Sequence, residues 1–263
     1  MRYPNGLPGW ADVSTTDVEA ARVFYESLFG WTSKDMDTPM GVAYTQFFKG
    51  DDVVAGMGPL PPAHAEHGVP SSWNTFIIVE DADVTVAAVT AAGGRVLMAP
   101  DDIMTQGRMA VIADPSGAAL GLWQPIDHQG AAVFNDPDTM TWNELQTRDL
   151  DAAKPFYEAV FGWAWEELSG GMNGYFVASL DTKPGDDKMV AGAMATPSEV
   201  PAEVPNLWLT YFAVTDCDTA VAKAEELGAT VFMPPADMGP GRYAGLQDPT
   251  GAMVMIGHST QPS

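Results

Sequence analysis

Two acidic residues stand at corresponding places in the two halves of this 263-residue chain. Asp12 lies two residues after Trp10, and Glu144 lies two residues after Trp142. Alternation along a strand places each acid on the same face as its tryptophan, in surroundings with few polar groups. Because apolar surroundings disfavour the charged carboxylate, burial raises the pKa of an acid toward values suited to acid–base catalysis. The pattern predicts Glu144 as the first catalytic candidate and Asp12 as the second.

Other side chains are expected to line the cavities that hold these two acids. We expect Gln146 and Tyr211 to orient a ligand beside Glu144 while the Trp142 ring stacks on it. The lining of the first cavity is predicted to be smaller and more polar than that of the second. The complete set of predicted ligand-binding residues is Trp142, Gln146, Tyr211, Trp10, Ser14, Asn74, Phe76, Arg108 and Arg242.

A purely structural role for both acids is an alternative interpretation. In that case Asp12 and Glu144 accept hydrogen bonds from Arg108 and Arg242, or from backbone amides, and only tie strands together.

The sequence segments that position these residues occur twice along the chain. Residues 10–31 read WADVSTTDVEAARVFYESLFGW, and residues 142–163 read WNELQTRDLDAAKPFYEAVFGW, an ungapped offset of 142 − 10 = 132. Asp-Pro-Ser-Gly at 114–117 and Asp-Pro-Thr-Gly at 248–251 repeat at an offset of 248 − 114 = 134. Self-similarity of this kind indicates duplicated domains. We predict a first domain at 1–127, a linker at 128–141 rich in Pro, Gly, Asp and Asn, and a second domain at 142–263.

Each half contains the same short pattern twice, a strand, a helix and about three further strands. Thr16 and Glu19 form a predicted capping box at the start of the first helix, and Gly30 ends that helix. The shorter second helices are predicted at about 84–92 and 219–227. Four βαβββ modules therefore give an α+β fold, in which paired modules curl into two barrel-like domains around shared cavities.

These motifs resemble the vicinal oxygen chelate (VOC) superfamily, which includes glyoxalases, bleomycin-resistance proteins and extradiol dioxygenases. The resemblance rests on TTDVEAARVFYESLFGW and TRDLDAAKPFYEAVFGW, and on the hairpins that begin with Gly-Arg at 107–108 and 241–242. It covers nearly the whole chain and implies a tandem VOC fold. It does not select one chemistry, because the superfamily shares a scaffold among lyases, dioxygenases, transferases and drug-sequestering proteins.

The resemblance also indicates where a metal would be held. Metal-using members place a His on the first strand, a His on the fifth and a Glu on the eighth. The corresponding positions here hold Trp10 and Trp142, Asn74 and Leu209, and Gly121 and Met255. These residues do not form a transition-metal site, and the four histidines (His64, His67, His128 and His258) stand in a crossover, the linker and the C-terminal region. The sequence therefore predicts no metal and no cofactor.

Composition restricts the partners. The chain has 12 basic and 35 acidic residues, a formal net charge of −23, which repels phosphate backbones and anionic lipids. We expect a small-molecule ligand, no nucleic acid and no membrane partner, and the sequence leaves the oligomeric state open. Cys217 is the only cysteine, and no apolar stretch approaches the length of a signal peptide or membrane span, so the expected location is the cytoplasm.

Three functions fit these observations. The first is a protein that binds or sequesters a small, largely apolar or cationic organic molecule in an aromatic-lined cavity. The second is a metal-independent isomerase, cyclase or lyase of a natural-product pathway, in which Glu144 or Asp12 moves a proton. The alternative is a divalent-metal-dependent glyoxalase-like lyase or extradiol-type dioxygenase. Whether the protein is an enzyme stays open at this point.

Overall fold

The computed structural model describes residues 3–37, 43–168, 174–185, 187–239 and 241–259. The first half of the chain contains β1 (Pro8–Thr15), α1 (Val18–Phe29), β2 (Thr32–Met36), β3 (Tyr44–Lys49), β4 (Asp52–Pro59), α2 (Pro62–Glu66), β5 (Ser72–Ile78), α3 (Ala82–Ala91), β6 (Arg95–Ile103), β7 (Gly107–Ala113) and β8 (Ala119–Pro125). The second half contains β9 (Met140–Thr147), α4 (Leu150–Phe161), β10 (Ala164–Glu167), β11 (Tyr175–Ser179), β12 (Met189–Ala195), β13 (Leu207–Ala213), α5 (Cys217–Glu226), β14 (Thr230–Met238), β15 (Gly241–Gln247) and β16 (Met253–Ser259).

The strands form two mixed sheets of eight strands each. The first sheet has the order β2-β3-β4-β1-β5-β8-β7-β6, and the second has the order β10-β11-β12-β9-β13-β16-β15-β14. Within each module the first and last strands pair in parallel, as β1 does with β4, and the hairpin strands pair antiparallel. The predicted α+β fold of four βαβββ modules is confirmed, with sheets that are curled rather than closed among the described strands.

Contacts along the backbone divide the chain into two compact units that do not coincide with its two halves. Unit 1 comprises Met1–Trp10, Thr75–Gly130 and Trp142–Leu209, and unit 2 comprises Ala11–Asn74, Ala131–Thr141 and Thr210–Ser263. Residues 128–139 of the predicted linker lie between β8 and β9, and the last two, Met140 and Thr141, begin β9. Unit 1 therefore contains nearly all of the second and third modules, and unit 2 nearly all of the first and fourth.

Each unit has its own hydrophobic core under its helices. In unit 2, Ala11 and Val13 of β1 are buried with Phe24 of α1. In unit 1, Leu145 of β9 is buried with Phe156 of α4. The alternation of each strand thus directs one set of residues toward the helices and the next toward the opposite side of the sheet, which we call the open face.

The helices begin at aspartates. Asp17 caps α1 by accepting a hydrogen bond from the Ala20 amide at 3.0 Å, so the prediction of Thr16 as N-cap was wrong. Asp81 and Asp216 cap α3 and α5, which start at Ala82 and Cys217, two residues before the predicted starts. An aspartate carboxylate binds the free amides of a first helical turn and favours the positive end of the helix dipole. Gly30 ends α1 in a left-handed conformation, as predicted.

Two buried tyrosines join the motifs that make the repeat recognisable. The Tyr25 hydroxyl of α1 donates to Asp248 Oδ2 at 2.7 Å and accepts a hydrogen bond from Trp73 Nε1 at 2.7 Å. The equivalent Tyr157 of α4 donates to Asp114 at 3.0 Å and accepts from Trp208 at 2.9 Å. Burial and the neighbouring carboxylate raise the pKa of both tyrosines well above the usual value, which keeps each hydroxyl protonated. The repeated Phe-Tyr-Glu and Asp-Pro-Ser/Thr-Gly motifs therefore serve the fold.

Candidate functional site

Asp12 is the centre of a polar cluster on the open face of unit 2. Its Oδ1 accepts a hydrogen bond from Asn74 Nδ2 at 2.9 Å, and its Oδ2 accepts one from the Tyr44 hydroxyl at 3.1 Å. Asn74 Nδ2 also donates to Ser14 Oγ at 3.0 Å. We call Asp12, Ser14, Tyr44 and Asn74 the Asp12 cluster. The structure brings together three residues predicted from sequence, and adds Tyr44.

Strand pairing explains this convergence. β1 pairs in parallel with β4, so Asp12 stands opposite Gly56 and Ser14 opposite Gly58. β3 runs antiparallel to β4, and the Tyr44 ring lies over Gly58, where a Cβ would be 3.5 Å from the ring. Because Gly58 has no side chain, the Tyr44 ring can lie over β4, and its hydroxyl reaches the Asp12 carboxyl group.

Burial raises the pKa of Asp12 from 3.8 to about 6, and the hydrogen bonds from Asn74 and Tyr44 partly offset that rise. The residue as a whole is only half-buried, so the carboxyl group is enclosed while the site keeps contact with solvent. A carboxyl group with this pKa changes its protonation state close to neutral pH.

Glu144 lies at the corresponding place in unit 1. It is buried, with 4% of its surface exposed, and it accepts a hydrogen bond from Gln146 Nε2 at 3.1 Å. Trp142 Nε1 donates to the Tyr175 hydroxyl at 2.8 Å. Gly192 pairs with Glu144 and lies under both rings, since a Cβ at Gly192 would be 2.0 Å from the Tyr175 hydroxyl oxygen. We call Trp142, Glu144, Gln146 and Tyr175 the Glu144 cluster.

The predicted lining residue Tyr211 belongs to unit 2. It is buried on β13, and its ring packs edge-on against Tyr243 with 6.0 Å between ring centroids. It is therefore part of an aromatic pair on the open face of unit 2.

The remaining predicted aromatic residues, Trp10 and Phe76, are packed within unit 1. Trp10 is 3% exposed, and its ring meets the His128 ring edge-on at 4.4 Å. Burial lowers the pKa of His128 to about 4, and its Nε2 atom is buried without a hydrogen-bond partner among the described residues. Phe76 covers Gly121 so closely that a Cβ there would be 2.1 Å from the ring.

Arg108 and Arg242 lie away from the open faces, unlike the expectation for ligand-binding residues. Arg108 shares a strand face with Ala110 and Ile112, which are buried in the helix-side core, and it pairs with Asp83 at 2.9 Å and Asp102 at 2.8 Å. Because residues two apart on a strand share a face, this guanidinium group is directed toward α3.

Arg242 has the equivalent arrangement in unit 2. It pairs with Asp218 of α5 at 2.6 Å and with Asp237 at 3.1 Å. These exposed ion pairs hold a strand to the first turn of a helix, a role worth little in stability. Within the described ranges both arginines form their ion pairs with these four carboxylates, so the alternative in which they tie down Asp12 and Glu144 is not supported.

The side chains at the expected metal positions do not fit a divalent ion. Trp10 has no atom that can coordinate a metal, because the indole nitrogen has no free lone pair. Asn74 is hydrogen-bonded to Asp12, and Gly121 has no side chain and lies under the Phe76 ring. Across the residues that the structure describes, no group of three or more His, Cys, Asp or Glu side chains is arranged to hold a metal. His258 Nδ1 accepts from the Cys217 amide instead.

Sequence reasoning missed Tyr44 and Tyr175. Both begin a short strand that packs beside a Val-Ala-Gly segment, at 54–56 in one half and 190–192 in the other. A glycine inside a strand marks a close approach by another group. The repeated Val-Ala-Gly was the available signal, and the ring that approaches belongs to the preceding strand of the hairpin.

The curled sheets built from βαβββ modules place the chain in a known class of folds. The family model of the Glyoxalase/Bleomycin resistance protein/Dioxygenase superfamily matches residues 8–122 and 139–256, so the chain belongs to this superfamily. The predicted family resemblance is confirmed.

Individual relatives are similar along almost the full length. The chain is 44% identical over 258 residues to "Putative glyoxylase CFP32" of Mycobacterium tuberculosis (strain CDC 1551 / Oshkosh), covering 97% of this chain and 95% of that protein. It is 38% identical over 261 residues to "Anthracycline biosynthesis protein DnrV" of Streptomyces peucetius, covering 95% and 92%.

Solved structures share the fold at low identity. The 2,3-dioxygenase LapB from Pseudomonas sp. KL28 aligns with a TM-score of 0.66 and 16% identity, covering 98% of this chain and 95% of that one. The Mn(II)-bound glyoxalase from Novosphingobium aromaticivorans aligns with a TM-score of 0.64 and 12% identity, covering 97% and 83%. Among the described residues, no helix has the length and apolar character needed to cross a membrane.

Proposed function

We propose that this protein binds a small, largely apolar or cationic organic molecule and moves a proton on it without a metal, as an isomerase, cyclase or lyase does. The observation that carries the proposal is the Asp12 carboxyl group. It is buried on the face of the sheet opposite the helices, and it accepts hydrogen bonds from Asn74 and Tyr44. Its pKa of about 6 leaves about a tenth of the groups protonated at pH 7. Both forms needed by an acid–base catalyst are therefore present.

The Glu144 cluster is proposed as a second binding surface of different character. The partly exposed Trp142 ring donates a hydrogen bond to the buried Tyr175 and lies in the same cluster as the buried Glu144 carboxyl group. Planar aromatic molecules stack on such rings. The net charge of −23 favours cationic ligands over anionic ones.

The names of the relatives support a biosynthetic setting. One relative is called an anthracycline biosynthesis protein, and this name agrees with a natural-product pathway as the source of the ligand. The other is called a glyoxylase, a name that would also suit a lyase. We propose the natural-product setting because stacking rings suit a planar molecule better than a small aldehyde.

The proposal is tested with purified protein and a panel of tetralone, hydroxyanthraquinone and phenanthridinium compounds. Binding is measured by isothermal titration calorimetry, and proton transfer by deuterium incorporation from D2O into the bound compound, followed by NMR. We expect Asp12→Asn to lower the exchange rate about 100-fold. The exposed Asp101→Asn variant is the matched control and should exchange at the wild-type rate.

Other results separate the alternatives. Binding without exchange in the wild-type protein would identify a sequestering protein, and absence of binding across the panel would contradict the proposal. Unchanged exchange and affinity in Glu144→Gln would remove Glu144 from the mechanism. Stoichiometric Zn, Fe, Mn or Ni in protein analysed after dialysis would instead support the glyoxalase-like or dioxygenase alternative.

A further inference from the structure

The two oxygens of the Asp12 carboxyl group have different partners. Oδ1 accepts from the Asn74 side-chain amide at 2.9 Å, and Oδ2 accepts from the Tyr44 hydroxyl at 3.1 Å. The Asn74 amide is oriented by its nitrogen, which donates to both Asp12 and Ser14, while its Oδ1 lies 3.5 Å from Ser72 Oγ.

These partners differ in what they can do when Asp12 is protonated. An amide nitrogen donates hydrogen bonds and has no lone pair to accept one, so a proton on Asp12 Oδ1 would oppose the Asn74 N–H. A tyrosine hydroxyl can rotate and accept. A proton on Oδ2 can therefore be donated to Tyr44, while Asn74 keeps its bond to Oδ1.

We propose that Tyr44 is a positioning residue that makes Oδ2 of Asp12 the oxygen at which a proton is held and exchanged. The inference rests on the proposed acid–base role of Asp12 and adds the atom at which that chemistry takes place. It also gives Tyr44 a function that changes with the charge of Asp12, donating to the carboxylate and accepting from the acid.

The surroundings of Asp12 isolate this effect. Burial raises the pKa of Asp12, whereas its two neutral donors, Asn74 on β5 and Tyr44 on β3, favour the charged form and lower the pKa. On β4, the residue opposite Asp12 is Gly56, and a glycine has no side chain. The pKa of Asp12 is therefore expected to change when Asn74 or Tyr44 is replaced.

The test is carbon-13 NMR of protein labelled at the carboxyl groups and at tyrosine Cζ, titrated between pH 4 and 8. In the wild-type protein, the Tyr44 Cζ signal should titrate with the midpoint of Asp12, because the hydroxyl changes from acceptor to donor. In Tyr44→Phe, the pKa of Asp12 should rise by about 0.5, and in Asn74→Ala by about 1, because Asn74 supports only the charged form. Tyr175→Phe, at the equivalent strand position in the other half, is the control and should leave the Asp12 pKa unchanged.

A Tyr44 signal that does not respond to the Asp12 titration would overturn the proposal, as would a rise of the Asp12 pKa in Tyr44→Phe as large as that in Asn74→Ala, because Tyr44 would then support only the charged form. The wild-type titration decides the matter even where a variant does not fold. These signals need no ligand, so they are independent of the deuterium-exchange assay. Failure of that assay alone would contradict the proposed function and leave the position of the proton established.

Discussion

Removing one hydroxyl group tests the reasoning about the helix-side cores. Tyr25→Phe deletes the bond to Asp248 and the bond from Trp73, both 2.7 Å long and both buried. Asp248 keeps three hydrogen bonds on Oδ1, from the Thr250 amide and hydroxyl and from the Ala252 amide, so its charge stays partly stabilised.

The magnitude follows from the two groups that lose a partner. A hydrogen bond to a charged group contributes about 1.5–3 kcal/mol, and a buried indole N–H left unpaired costs about 1 kcal/mol or more. We therefore expect Tyr25→Phe to lower the free energy of unfolding by about 3 kcal/mol. Tyr157→Phe removes the equivalent bonds in unit 1, at 3.0 and 2.9 Å, and should cost a similar amount.

The assay is equilibrium urea unfolding followed by far-UV circular dichroism at pH 7. Val23→Ala is the control on the same helix, because Val23 is 58% exposed and its truncation should change the free energy of unfolding by less than about 0.5 kcal/mol. A Tyr25→Phe variant as stable as the wild type would refute the view that the repeated motifs are retained for the Tyr–Asp bond.

Three further predictions concern the open faces. Burial of neutral His128 lowers its pKa from 6.5 to about 4, so between these values the unfolded chain binds more protons than the folded chain. The contribution of His128 to stability is therefore lost as pH falls from about 6.5 to 4. His128→Gln should make the free energy of unfolding, measured with urea, depend less on pH in this range. The raised pKa of Asp12 has the opposite effect on stability, because the folded state binds more protons than the unfolded state between pH 3.8 and about 6. Asp12 therefore destabilises the wild-type protein as pH rises through that range. The free energy of unfolding of Asp12→Asn relative to the wild type should increase over the same range. Gly121→Ala places a Cβ about 2.1 Å from the Phe76 ring and should lower the free energy of unfolding by about 1–3 kcal/mol. When Phe76 is also replaced by Ala, adding Gly121→Ala should lower the free energy of unfolding much less. An equal effect of Gly121→Ala with and without the ring would contradict the steric argument.

The architecture was predictable because its signals are local and repeated. The alternation of β1 and β9, the apolar faces of α1 and α4 and the glycines that end helices are each readable within a few residues. The error at Thr16 is of the same local kind, since Asp17 beside it is an equally good cap and only the backbone geometry selects one.

The site was less predictable because it depends on contacts between strands that are distant in sequence. Tyr44 meets Asp12 across β4, 32 residues away, and only the strand register shows it. The placement of Arg108 depends on which face of β7 the core uses, and its neighbours Ala110 and Ile112 decide this. Asp12 and Asn74 were found from sequence because both lie at the strand positions that the repeat defines.

The makeup of unit 2 has a consequence for synthesis of the chain. Residues 11–74 form a compact unit with residues 131–141 and 210–263, and Tyr25 finds its carboxylate partner 223 residues later. Unit 1 has all its parts once residue 209 has been made. The first module is therefore synthesised long before its unit is complete, and the bond between Tyr25 and Asp248 can form only when nearly the whole chain has been made.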